Sequence, residues 1–127
     1  MRLNQVTAPA TDLAASIAFY QRLGLRLIVR SEHYARFEVP DGEATFSLHA
    51  APAAAREGAP VVYFECDDLD AEVARLRAAG VVFDAGPTDQ PWLWREAALR
   101  DPAGNAVILY FAGSNRKQPP WRLRDPG

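Results

Sequence analysis

The strongest constraint on this chain is that it repeats itself at a spacing of 56 residues. Asp12, Leu13, Ala15, Ile17, Ala18, Gly24 and Leu25 recur as Asp68, Leu69, Ala71, Val73, Ala74, Gly80 and Val81. In each copy an Asp precedes a segment whose apolar residues fall at i, i+4 and i+7: Leu13, Ile17 and Tyr20, then Leu69, Val73 and Leu76. That spacing puts them on one helical face. The Asp is the expected N-cap, because its carboxylate accepts from free N–H groups of the first turn and suits the positive end of the helix dipole. Gly24 and Gly80 stand where each helix should stop, as residues able to take positive φ.

Extended segments flank both helices. Leu3 to Ala8 and Val61 to Cys66 precede them. After the first helix come Leu25 to Arg30, Tyr34 to Val39 and Ala44 to Ala50, and after the second Val81 to Asp84, Trp94 to Arg100 and Asn105 to Ala112. Pro40, Asp41 and Gly42 mark one turn, and Asp101 to Gly104 another. The unit is therefore β-α-β-β-β, present twice, an α+β arrangement. The two modules span about 1–50 and 60–112, joined by an alanine- and proline-rich linker at 51–59, and together form one domain over 1–112.

Composition narrows the function classes. With 127 residues there is no room for a second large domain, and 49% apolar with 24% charged residues excludes disordered and fibrous chains. No apolar run is long enough to span a bilayer, and the N-terminal stretch lacks a charged-then-apolar signal pattern, so the expectation is a cytoplasmic protein without a membrane partner. Cys66 is the single cysteine, which allows no internal disulfide and reads as inert core. Net charge is −2, yet the tail 113–127 is basic. With two prolines that tail reads as a solvated terminus or a strap, and the absence of a basic face elsewhere argues against nucleic acid.

Alternation along the strands divides helix-facing from open-face residues. Val6, Ala8, Val62, Phe64, Cys66, Phe46, Leu48, Ala97, Leu99, Val107, Leu109 and Phe111 suit the helix side. The opposite surface then collects Gln5, Thr7, Ser47, His49, Tyr63, Trp94, Glu96 and Tyr110 as ligand-binding candidates, a mixture of polar and aromatic groups that suits a small molecule or an oligomer interface. His49 and Glu65 are the acid–base candidates, the first for its near-neutral titration and the second through a possible carboxylate pair with Glu96. Arg36, Arg95 or Arg100 would neutralise that pair. His33 reads as surface. Trp94 is expected to point inward with Trp92 at the lip, and GPTDQP to be a long turn able to move as a flap.

Three segments carry a family resemblance: TDLAASIAFYQRLGLRL, DDLDAEVARLRAAGV and DPAGNAVILY. Over about residues 2–112 the chain resembles the vicinal oxygen chelate superfamily of glyoxalase I, extradiol dioxygenases, fosfomycin-resistance enzymes and bleomycin-binding proteins. The resemblance implies two βαβββ modules forming a cupped mixed sheet, the glyoxalase/bleomycin-resistance-like fold. It further implies a homodimer, with a ligand or metal on the concave side.

In metal-dependent relatives four strand positions supply ligands, which here are Gln5, Ser47, Val61 and Ile108. Val61 and Ile108 have no donor atom, and a serine hydroxyl is a weak ligand. The expectation is therefore a metal-independent protein, with no cofactor, holding a small organic molecule, whether for sequestration or reaction. The competing expectations are a metal-dependent lyase, isomerase or dioxygenase using a divalent ion on Gln5 with His49 or Glu65, and a structural or interaction module whose Trp-lined surface is covered by a partner or by the tail around Trp121.

Overall fold

The computed structural model describes residues 1–53 and 56–123. Residues 54–55 of the expected linker and 124–127 of the tail lie outside the described residues. In chain order the elements are β1 (Gln5–Ala10), α1 (Leu13–Leu23), β2 (Arg26–Arg30), β3 (Tyr34–Glu38), β4 (Thr45–Ala50), β5 (Val62–Glu65), α2 (Leu69–Ala78), β6 (Ala85–Asp89), β7 (Arg95–Arg100) and β8 (Ala106–Phe111). They form two four-stranded sheets of the same plan, β1-β4-β3-β2 and β5-β8-β7-β6. In the first, β1 runs parallel to β4, while β4 with β3 and β3 with β2 are antiparallel. The α+β fold of two βαβββ modules expected from the repeat is thus present.

The chain divides into two compact units. One holds Met1–Val62 with Arg100–Ala106, the other Tyr63–Leu99 with the chain from Val107 onward. In the first unit Asp12 caps α1 by accepting from the Ala15 N–H at 3.1 Å, and Gly24, at φ 102°, ends it in the left-handed conformation. The helix buries Ile17, Phe19 and Tyr20. Tyr20 meets Phe46 and Phe37, with ring centres at 4.5 and 6.1 Å. The turn at Asp101 belongs to this unit. Tyr20 donates to Asp101 at 2.7 Å, and Asp101 also accepts from the Ala103 and Asn105 N–H groups and from the Asn105 amide, which reaches the Pro9 carbonyl. Burial, followed by the adjacent Asp101 charge, pushes the Tyr20 phenol far above the ordinary range.

In the second unit Asp68 caps α2 in the same way, at 3.1 Å from the Ala71 N–H. Leu69, Val73 and Leu76 are buried, as are Val81, Ala97, Leu99, Val107 and Leu109. Each such Leu or Val side chain contributes roughly 1.5–3 kcal/mol relative to exposure.

The structure departs from the sequence reading at three places. The segment 81–84 is no strand: the Val81 N–H closes the helix on the Leu76 carbonyl, and Val82 projects 81% exposed. The strand is instead β6, which includes Gly86, Pro87, Thr88 and Asp89 of the expected flap. Pro87 is tolerated because β6 is the edge of its sheet. The turn that remains is Gln90–Trp94, closed by a 2.8 Å bond from the Gln90 N–H to the Trp94 carbonyl. Finally, Val6 and Phe111 are 37% and 43% exposed rather than turned inward. Val6 stands near the start of edge strand β1, and the Phe111 ring lies over Gly113, where a Cβ would meet it at 3.2 Å.

Candidate functional site

Each sheet has a helix-covered face and an open one, and the sequence-predicted residues lie on the open faces. On the first sheet the register pairs Gln5 with Thr45, Thr7 with Ser47, Ser47 with Arg36, and His49 with Tyr34. Paired residues point to the same side, so these side chains share one surface. Thr45 donates to the Gln5 side-chain oxygen at 2.8 Å. Ser47 is fully buried, its hydroxyl 2.7 Å from the Tyr34 hydroxyl, which also accepts from Arg36 Nε at 2.9 Å. The bond to Ser47, aided by that to Arg36, holds the Tyr34 phenol below the ordinary range. Thr7 and His49 are exposed.

The open face of the second sheet is aromatic. Trp94 stacks on Tyr110 with centres 4.7 Å apart and planes 20° from parallel. Tyr63 meets both edge-on, at 6.0 and 5.6 Å, and remains 47% exposed. Both candidate carboxylates here have donors of their own. Glu65 accepts from the N–H groups of Ala112 and Gly113 at 2.8 and 3.1 Å, and buried Glu96 accepts from Trp92 Nε1 at 2.7 Å. The Trp94 indole donates to the Asn115 carbonyl at 3.3 Å, fastening the short 3-10 turn Gly113–Asn115 to the same region. Burial, then the Glu65 charge, raises the Tyr110 phenol.

Tyr34 escaped the sequence reading as an open-face group, and Arg36 entered it only as a neutraliser of the Glu65–Glu96 pair, whereas it bonds to Tyr34. The signal was present, since they alternate with Ala35 and Phe37, both fully buried. Asp101 was read only as a turn residue and Asn105 only as the start of the last strand. His33 is exposed, 3.9 Å from Glu32. Cys66 is half-buried, and burial reinforced by Glu72, Asp67 and Glu65 pushes its thiol up to about 11, which leaves it protonated and unreactive near neutrality.

The chain matches the Glyoxalase/Bleomycin resistance protein/Dioxygenase superfamily over residues 2–109. It belongs to that superfamily. Among solved structures, a glyoxalase/bleomycin resistance protein/dioxygenase from Nocardioides is 27% identical, with a TM-score of 0.73 over 97% of this chain and 89% of that one. Lactoylglutathione lyase from Agrobacterium tumefaciens is 23% identical, with a TM-score of 0.71 over 87% of this chain and 92% of that one. A bleomycin-binding protein solved with bleomycin is also 23% identical at a TM-score of 0.71, over 87% of this chain and 98% of that one. The last two likenesses establish the fold and carry no substrate with them. No curated protein matches the chain.

Superfamily membership raises the question of a metal, and the residues at the four ligand positions do not fit one. Gln5 shares its side-chain oxygen with Thr45, and the Ser47 hydroxyl is engaged by Tyr34. Val61 and Ile108 offer no donor atom. Among the described residues no group of three His, Cys, Asp or Glu side chains is arranged to hold an ion, and no helix is long and apolar enough to cross a membrane.

Proposed function

We propose that this superfamily member binds a small organic molecule with a flat unsaturated ring, without a metal, on the open face of its second sheet. The observation that carries the reading is the group of three rings: Trp94 stacked on Tyr110, with Tyr63 edge-on to both and half-exposed. Flat ligands are held by such faces through offset stacking, and the hydroxyl of half-exposed Tyr63 supplies polar selection. Glu65 and Glu96 act here as anchors of the surrounding turns, being occupied by backbone and indole N–H groups.

Calorimetric titration of the full chain with 2-naphthol and with its saturated counterpart decahydro-2-naphthol tests this. Saturable binding of the flat compound alone is expected, unchanged by chelator and weakened about tenfold in Trp94→Leu. Equal binding of both compounds would sink the reading, as would nickel, zinc, iron or manganese at one per chain whose removal abolishes binding. The same proposal includes a homodimer, supported by exposed Tyr63 on the edge strand β5 and exposed Val61 just before that strand. Light scattering at twice the chain mass is the expected result.

A further inference from the structure

The open face of the first sheet carries an arginine, Arg36, that forms no ion pair with a carboxylate among the described residues. Arg36 lies between Ser47 on the neighbouring strand and Val29 on the other side, half-buried. Its Nε donates to the Tyr34 hydroxyl, and its guanidinium carbon lies 5.4 Å from the Tyr34 ring centre. Among the described residues the ion pairs join Arg75 to Glu72, Arg95 to Asp70 and Asp89, and His33 to Glu32. Glu38, two residues along the same face, has Arg26 directly opposite it in register.

The Tyr34 hydroxyl is itself fixed by buried Ser47, so one edge of the guanidinium is held while the two terminal nitrogens keep their donors. Such a planar fork matches the two oxygens of a carboxylate or phosphate, and holding it in advance lowers the ordering cost of binding. Thr7 on β1 and His49 on β4 add exposed donors on the same surface: Thr7 lies across β4 from Arg36, with Ser47 between them, and His49 is opposite Tyr34 in register.

We propose that this face is a binding site for an oxyanionic group, a carboxylate or a phosphate, with Arg36 as its anchor, Tyr34 as the positioning residue, and Thr7 and His49 as flanking donors. The inference goes beyond ring binding on the second sheet and does not rest on it.

Amide-resolved titration of the full chain with acetate and with inorganic phosphate, at constant ionic strength, tests the site. Neither probe has a ring, so the outcome is separate from that of the naphthol experiment. Saturable shifts confined to β1, β3 and β4 are expected. Arg36→Met should weaken binding roughly tenfold or more, and Arg36→Lys, which keeps charge but loses the fork, should fall between. Tyr34→Phe should weaken it about threefold by freeing the guanidinium. Saturation by acetate alone would identify a carboxylate ligand, and by phosphate alone a phosphorylated one. Shifts that never saturate, or wild-type affinity in Arg36→Met, would overturn the site. If that variant does not fold, unchanged affinity in both Arg36→Lys and Tyr34→Phe overturns it equally.

Discussion

The open faces of the two sheets have the same strand order beneath them and opposite chemistry above. On the first, Thr45 is bonded to Gln5, and Ser47 and Arg36 to Tyr34, so polar side chains satisfy one another. On the second, three aromatic rings meet, and the carboxylates turn to backbone and indole N–H groups. Positions related by the repeat make the contrast concrete: Gln5 and Thr7 of β1 correspond to Val61 and Tyr63 at the start of the second module. The helix-facing alternates are constrained by the core in both copies, Phe46 and Leu48 in one, Val107 and Leu109 in the other. The open-face alternates need not fit the helix, only one another, and duplicated modules can therefore diverge there without losing the fold.

If that contrast is physical, the two faces should respond unequally to loss of a ring or a hydroxyl. Trp94→Ala removes the stack on Tyr110, the edge contact with Tyr63 and the bond to Asn115, and should cost about 2–3 kcal/mol in urea unfolding. Tyr34→Phe removes only the hydroxyl between Ser47 and Arg36 and should cost about 1 kcal/mol. Equal losses would break the comparison. A comparable effect is expected at Glu65: Glu65→Ala strips the acceptor from the Ala112 and Gly113 N–H groups, for about 1 kcal/mol, and hydrogen exchange at those two amides should accelerate while buried Leu109 stays protected. Unchanged exchange would mean that the turn after β8 is held by something other than Glu65.

Much of this arrangement is legible in the sequence, for local reasons. Asp12 and Asp68 cap helices through bonds that span three residues, and period-two alternation is enough to put Tyr63, Trp94 and Tyr110 on one side. Strand β6 was not legible because Ala-Gly-Pro-Thr-Asp has the composition of a turn, and only its place at a sheet edge makes it a strand. The Tyr20–Asp101 bond joins residues 81 apart, and no local pattern announces it. The link from Ser47 through Tyr34 to Arg36 lies between these cases: alternation puts all three on one face, but only the strand register brings their polar atoms within bonding distance.

The finest difference between the faces is in their tyrosines, which are perturbed in opposite directions. Tyr34 is lowered by its bonds to Ser47 and Arg36, whereas Tyr110 is raised by burial and Glu65, and buried Tyr20 is raised further. Ultraviolet titration of phenolate should therefore show one phenol ionising ahead of the ordinary value near 10 and at least two behind it. The consequences for stability have opposite signs. Between the folded Tyr34 value and about 10 the unfolded chain holds a proton that the folded one has released, so this group adds stability as pH rises. Above about 10 the unfolded chain has lost protons that Tyr20 and Tyr110 retain, and stability falls. Ser47→Ala removes the larger cause of the Tyr34 shift, so the early phenol should move up while the late ones stay in place. If the early phenol does not move in that variant, the hydroxyl pair is not what distinguishes the first face from the second.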